Sequence, residues 1–341
     1  MTHSQMHILL AGFLVADIVA ADLERVAEPG ELVLAPRGIR LSVGGHPANI
    51  AVDLVKLGLP PESITVVSTV GRDIFGEFIV RTLRSYGINL MVEVAGDSTN
   101  KNVILVVRGE DRRFHVELSS STLMRASHVM GALERVNPDI FYIATGIIGE
   151  VDERLEDVLK RAKSLGSLTF VDTVKPVGKS WDFLRRALRH VDVFHCNSLE
   201  AVEIAGVDDL ESAVDCLAAS GVKLLFVTLG EGGAIARSRR YRVRQRAFRV
   251  EVVDPTGAGD AFCAGVILRL AEAYGERLRS VNVGEIPLAE LCEILAFAQA
   301  VGASACTAPG TTAGVSRELV EELLRSQASA VMRAQEVVEL G

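Results

Sequence analysis

The stretch best equipped for chemistry runs Val252-Val253-Asp254-Pro255-Thr256-Gly257-Ala258-Gly259-Asp260-Ala261-Phe262-Cys263-Ala264-Gly265. A β-like run ends at Val253, an Asp-Pro turn follows, and small residues lead into a helical pattern. The first N–H groups of a helix have no partner within it, and the helix dipole adds positive potential there. Where glycine replaces a larger side chain, an anion such as phosphate can approach those groups closely. Asp260 falls in the first turn of the expected helix, beside whatever anion the turn would hold. N–H groups that take charge from a migrating phosphoryl, next to a carboxylate that orients and deprotonates a hydroxyl, are the parts of a phosphoryl-transfer site. The helix N-terminus is expected to keep Asp260 ionised, a weak base that suffices when the proton leaves late. Asp260 alone would be read as an acid stabilising a helix start; the whole run favours chemistry.

The elements that must position this turn are legible as an alternation. Apolar β-like runs at 64–69, 139–143, 168–171, 191–194 and 222–228 are separated by amphipathic segments such as 75–86, 151–165, 210–220 and 258–273. This predicts an α/β fold, a doubly wound and mainly parallel sheet flanked by helices. The apolar stretch 8–21 is too short to span a bilayer, is interrupted by Asp17 and lacks a basic residue before it. It is expected to be a buried strand at 6–15 followed by a loop, because parallel strands covered on both faces read as continuous apolar runs. Two stretches break the rhythm. In 32–43, Ile39, Leu41 and Val43 alternate with Arg40 and Ser42. After 103–107 and a polar turn at 108–113, Phe114, Val116 and Leu118 alternate with polar residues. Period-two patterning around turns predicts strands with one covered face. They are expected to form a small β subdomain, a candidate lid built from about 17–43 and 97–119, with decorative hairpins as the alternative. Arg240, Arg242, Arg244 and Arg246 share one face of a β-like run and suit a charged edge strand. Segment 316–340 is helix-like and suits packing or an oligomer contact. One α/β domain at 1–316 with a helical segment at 317–341 is the expected organisation.

Composition removes other classes. The chain has 341 residues, 49% hydrophobic and 23% charged, with a formal net charge of −8. That is ordinary globular composition. An acidic balance argues against nucleic acid as a partner, and no membrane association is expected. Five cysteines, at 196, 216, 263, 292 and 306, form no CxxC pair, and seven histidines form no HxH or HExxH pair, so a protein-bound zinc is not expected. A reducing, cytoplasmic setting follows from this cysteine usage.

Asp254-Pro255-Thr256-Gly257-Ala258-Gly259-Asp260-Ala261-Phe262 resembles the signature of the ribokinase-like carbohydrate kinase family. Four further stretches resemble that family in the same order. They are Gly44-Gly45-His46-Pro47-Ala48-Asn49-Ile50-Ala51, Val70-Gly71-Arg72-Asp73-Ile74-Phe75-Gly76, Asn197-Ser198-Leu199-Glu200, and Val227-Thr228-Leu229-Gly230-Glu231-Gly232-Gly233-Ala234. The resemblance covers residues 6–316. It implies a ribokinase-like fold and phosphoryl transfer from ATP, with Mg²⁺ and in some members K⁺, to a hydroxyl of a sugar, polyol or nucleoside. It implies Asp260 as catalytic base and Gly257, Ala258 and Gly259 as an anion hole. Asp17, Gly45 and Asn49 would hold the acceptor. Asn197, Glu200, Thr228 and Gly230 would serve the nucleotide, with Glu200 reaching Mg²⁺ through water. A monovalent cation would draw on Asp254, Thr256, Ala305, Ala308, Gly310 and Gly314, mostly through backbone carbonyls. A homodimer through the lid is a further expectation.

Each position also has a structural reading. Asp17 suits a loop carboxylate, Gly44-Gly45 a turn, and Pro47 a first helical position. Asn49 suits a brace within the same helix. Asn197 and Glu200 have the spacing of a capping box. Asp172 and Lys175, after the 168–171 run, are candidates to face the cleft. Departures limit the acceptor. His46-Pro47 stands where ribokinases proper carry Lys-Gly, so the pattern is closer to fructokinase-type members. A glutamate expected after the 139–143 strand has no counterpart near Thr145-Gly146-Ile147. A hexose, polyol, inositol or nucleoside all stay open, and an inositol or nucleoside kinase is the nearest alternative. A nicotinamide-dependent oxidoreductase would share the fold class, but Phe262 stands where the third small residue of its glycine fingerprint belongs. A silent sugar sensor on the same fold is the remaining alternative.

Overall fold

The computed structural model describes residues 6–110 and 112–340; within the expected 108–113 turn, Asp111 lies outside the described residues. In chain order the strands are β1 (Ile8–Ala11), β2 (Val15–Leu23), β3 (Ile39–Gly44), β4 (Ile64–Val70), β5 (Asn89–Val94), β6 (Lys101–Val107), β7 (Arg113–Glu117), β8 (Ile140–Thr145), β9 (Leu168–Thr173), β10 (Val193–Asn197), β11 (Leu224–Thr228), β12 (Ala234–Arg237), β13 (Tyr241–Gln245) and β14 (Glu336–Glu339). Ten of them form one sheet in the order β14-β13-β12-β11-β10-β9-β8-β1-β4-β5, and four form a second in the order β3-β2-β6-β7. From β11 to β5 every pairing in the large sheet is parallel; β12, β13 and β14 add antiparallel neighbours at one end.

The continuous apolar runs become central strands because both faces are covered. All four residues of β1 are fully buried, and the period of two sends Ile8 and Leu10 into one core and Leu9 and Ala11 into the other. The first core is closed by helices His46–Lys56, Ala258–Tyr274, Leu288–Ala305 and Arg317–Arg333. The second is closed by helices Ala126–Val136, Leu155–Ser164, Ser198–Ala205 and Leu210–Ala219, with others. Helix Leu288–Ala305 is long and apolar enough to cross a membrane, but 72% of it is buried inside the protein, where it packs on Ala258–Tyr274.

Several expectations change. The apolar stretch 8–21 is two strands, not one strand and a loop: β1 belongs to the large sheet and β2 to the small one. Asp17 therefore sits on a strand, paired across to Ser42 and Asn102, and not in a loop. Of the 32–43 segment only 39–43 is strand, within β3; Leu32 and Leu34 are largely exposed outside it. The second hairpin forms, β6 against β7, but without the expected covered face on β7, whose five residues are all exposed. The expected helix 151–165 is interrupted at Arg154, between Glu150–Glu153 and Leu155–Ser164. The arginine-bearing strand β13 is not the sheet edge. β14, from the segment expected to be helical to its end, pairs outside it and brings Glu336 opposite Arg244. The arginine face is thus matched by a cross-strand acidic neighbour.

Candidate active site

The mouth of the site lies at the carboxyl ends of the parallel strands, where open α/β sheets commonly bind ligands. One cleft of about 2050 Å³ is lined by Asp17, Gly45, Asn49, Asn197, Glu200, Thr228 and Gly230, and by the turn Gly257, Ala258, Gly259 and Asp260. The small sheet contributes Val15, Ile104, Phe114 and Val116 to the same cleft.

The turn is shaped by glycine. Gly257 caps helix Ala258–Tyr274 with φ 82°. A Cβ there would stand 2.2 Å from the Thr311 carbonyl oxygen. Only glycine tolerates both the left-handed backbone and that approach. Gly257, Ala258 and Gly259 line the cleft, with Ala258 N–H donating to the Pro255 carbonyl at 3.3 Å, and Asp260 follows in the first turn.

Asp260 is buried, 8% exposed. Its Oδ2 accepts a 2.7 Å hydrogen bond from Asn49 Nδ2. Its Oδ1 has no partner, with His46 Nε2 3.8 Å away. Burial raises its pKa above the ordinary carboxylate value, opposed by the His46 ring and the Asn49 bond. The expectation was of a carboxylate held ionised by the helix N-terminus; burial instead shifts Asp260 toward its neutral form.

Gly45 begins helix His46–Lys56 with φ 96°, where a Cβ would meet the Phe13 carbonyl oxygen at 2.2 Å. This sharp entry places His46 and Asn49 against Asp260. On the lid side, Asp17 accepts a 3.1 Å bond from Asn102 Nδ2. Burial raises Asp17 to about 6, against the Asn102 bond and with the Asp260 charge. Buried polar atoms without a partner gather on this wall: His46 Nδ1, Asn49 Oδ1, Asn102 Oδ1 and Asp260 Oδ1.

At the other end, Asn197 ends β10 and Thr228 ends β11. The capping box forms: Glu200 N–H donates to Asn197 Oδ1 at 2.9 Å, and Asn197 N–H to Glu200 Oε2 at 3.0 Å. Thr173 Oγ1 donates to the same Oε2. Burial raises Glu200 despite these bonds. Among the described residues Oε1 takes no hydrogen bond, which fits an acceptor for metal-bound water. Gly230 lies in the turn Gly230–Gly232 with open space around it.

Asp172 and Lys175 both line the cleft, as expected, and Asp172 is nearly enclosed, 3% exposed. It accepts from His195 Nδ1 at 2.8 Å and from Tyr142 Oη at 2.7 Å. Burial would raise it, but the His195 ring holds it at about 2. Lys175 is exposed and paired with Glu203. Ligand atoms of Asp172, His195 and Cys263 lie within 4.8 Å of one another, a grouping no local spacing announced. They already bond to one another.

The six residues offered to a monovalent cation divide. Asp254 and Gly310 line a smaller neighbouring cavity with Arg112; Thr256 lines the main cleft; Ala305, Ala308 and Gly314 line neither. Gly314 packs against the carbonyls of Ser304 and Ala305. Asp254 Oδ1 accepts from Thr256 N–H at 2.9 Å and Thr256 Oγ1 at 2.6 Å, and Oδ2 from Gly310 N–H at 3.0 Å. Arg112 Nη1 lies 3.2 Å from Asp254 Oδ1 and also bonds Thr256 Oγ1. Oδ1 thus takes three hydrogen bonds, one of them from a guanidinium, and Oδ2 takes one; a guanidinium beside the only carboxylate of the set disfavours a second cation at that carboxylate.

His46, Asn102, His195 and Arg112 were not singled out by sequence as site residues. His46 stood out only as a departure from a family pattern. Nothing local signals the others, because each acts through a contact distant in sequence.

A glycine turn at a helix start and a buried carboxylate beside it thus share one cleft with residues of the small sheet. Residues 8–318 match the description of the pfkB family carbohydrate kinases, and the chain belongs to that family. It is 31% identical over 289 residues to the fructokinase of Klebsiella pneumoniae, covering 78% of this chain and 86% of that protein. In fold it is similar to the ribokinase of Giardia lamblia, with a TM-score of 0.80, 22% identity and coverage of 95% and 99%. It is also similar to a Xylella fastidiosa fructokinase with bound ATP, with a TM-score of 0.78, 24% identity and coverage of 95% and 99%. The chain is a phosphotransferase that uses ATP to phosphorylate a sugar-type acceptor.

Proposed function

We propose that the chain moves the γ-phosphate of ATP to one hydroxyl of a hexose or similar polyol, with Asp260 as the base and the Gly257–Ala258–Gly259 turn as the anion hole. The observation that carries this is the set of unpartnered buried atoms beside Asp260: His46 Nδ1, Asn49 Oδ1, Asn102 Oδ1 and Asp260 Oδ1. Unpaired buried polar groups are costly, and several hydroxyls of one acceptor would satisfy them together.

Asp17, Gly45 and Asn49 orient the acceptor so that one hydroxyl meets Asp260 Oδ1. Asn197, Glu200, Thr228 and Gly230 position the nucleotide at the ends of β10 and β11. The acceptor oxygen forms a bond to the γ-phosphorus as the bridging oxygen to the β-phosphate departs on ADP. The proton passes to Asp260. N–H groups of the turn stabilise the charge on the equatorial oxygens. Mg²⁺, held through water by Glu200, would neutralise charge on the phosphates. The small sheet excludes water from the closed cleft.

A nucleoside acceptor is the second reading, favoured by the apolar lid wall of Ile104, Phe114, Val116 and Leu118 in the cleft. The five cysteines are free thiols, which supports a cytoplasmic setting. The small sheet exposes Ile39 and Leu41, which supports a homodimer through the lid.

The test is ADP release measured across sugars, polyols, inositols and nucleosides, with the product identified by phosphorus NMR. One acceptor class should raise ADP release about a hundredfold or more over the acceptor-free rate. Rapid ATP hydrolysis that no acceptor accelerates would contradict the reading.

A further inference from the structure

Arg112 joins two parts of the molecule that the sequence keeps far apart. It sits at the end of the β6–β7 turn of the lid, yet its side chain is largely enclosed, 19% exposed, against Asp254 and Thr256. Thr256 immediately precedes Gly257, so the contact touches the turn that would carry the anion hole. The same turn is held from the other side: the Cys306 carbonyl accepts from the Val253 and Asp254 N–H groups at 2.8 and 3.1 Å, and Asp254 Oδ2 accepts from Gly310 N–H. The guanidinium also lies 5.6 Å from the Phe114 ring, which lines the cleft. A guanidinium stays charged at all working pH values, and its planar fork holds a fixed orientation.

We propose that Arg112 supplies the fixed positive charge beside the Asp254–Gly257 turn that a bound monovalent cation would otherwise supply, and that it ties the lid hairpin to that turn. The inference rests on the phosphotransfer reading for its kinetic consequence and on geometry alone for its structural one. Arg112 is a positioning residue: it lines the smaller neighbouring cavity and not the main cleft, and acts through Thr256 and Asp254. Because the charge is covalently part of the chain, catalysis needs no K⁺. Because it comes from the lid, displacement of the hairpin removes the charge and loosens the turn.

The experiment compares wild type, Arg112→Ala and Arg112→Lys in KCl and in tetramethylammonium chloride at equal ionic strength. Thermal unfolding without substrates is read first. The wild-type midpoint should be the same in both salts within about 1 °C, while Arg112→Ala should be lower by several degrees, about the size expected for losing one buried charge contact. Turnover with the best acceptor of the ADP-release screen is read second. Wild-type kcat should agree within about twofold between salts, and Arg112→Ala should lose about tenfold or more in kcat with little change in acceptor KM. Arg112→Lys should recover part of that kcat. A wild-type midpoint raised specifically by K⁺, or a wild-type kcat stimulated about tenfold by K⁺, would overturn the proposal. So would an Arg112→Ala enzyme with unchanged midpoint and kcat. If no acceptor is turned over, the phosphotransfer reading fails by itself and the unfolding comparison still decides the charge-substitution claim.

Discussion

Asp17 and Asp260 face one cleft, and each is driven toward its neutral form by burial. For Asp17 the consequence can be calculated. Its pKa rises from 3.8 to about 6 in the folded chain. Between those values the folded state binds more protons than the unfolded one, so stability falls as pH rises through the window. Above it, the ionised carboxylate destabilises the ligand-free protein by up to about 3 kcal/mol, because a tenfold change in proton affinity is worth about 1.4 kcal/mol. Asp17→Asn should therefore raise the denaturant midpoint at pH 7 and lose that advantage near pH 4, as urea titrations at both values would read. The same variant should raise the acceptor KM and leave ATP affinity intact. Equal stability gains at both pH values would contradict the electrostatic account. Asp17 retains its charge at the expense of the apo fold, an arrangement expected where a ligand later supplies the missing donors.

The helix Ala258–Tyr274 and its capping turn form the element on which the chemistry rests. Gly257→Ala meets both the left-handed φ and the Thr311 carbonyl oxygen. The turn must shift, and the N–H groups shift with it. The variant should fold with a lowered unfolding midpoint and lose about 10²-fold or more in kcat, the scale for displaced anion-hole donors; a kcat near wild type would show that these N–H groups do not act. This helix was legible in sequence because glycines, an Asp-Pro turn and an apolar helical pattern are all local signals. So were the central strands, whose unbroken apolar runs reflect cover on both faces. β2 was not, because 8–21 reads as one apolar run and the crossing between sheets after Ala11 leaves no polar break. β5 was not, because at the sheet edge its residues are only half-buried. β14 was not, because Glu-Val-Val-Glu directly after a helix continues the helical pattern until β13 offers it a partner.

At the scale of the molecule, the site is a product of distant contacts. Asn49 reaches Asp260 across 211 positions and Arg112 reaches Asp254 across 142. Local spacing announces which residue types are present, and only the packing of helix on sheet and lid on cleft decides which of them meet. That is why Asp260 and Asn49 could be named from motifs while Asn102, His195 and Arg112 could not. The small sheet also exposes Ile39, at 68%, and Leu41, at 43% and lining the smaller cavity. A second copy covering them would bury both, as closed symmetric pairing allows. Light scattering should give twice the chain mass for wild type and the single-chain mass for Ile39→Glu with Leu41→Glu; a monomeric wild type would contradict the dimer.

The most direct test of the whole account is steady-state kinetics of Asp260→Asn with the acceptor identified by ADP release. Asparagine keeps the size and the contact with Asn49 but cannot take a proton. The expected result is a kcat lower by about 10²–10⁴ with acceptor and ATP KM values changed little, the signature of a lost base. A kcat within about threefold of wild type would contradict it, because a different group would then be receiving the proton.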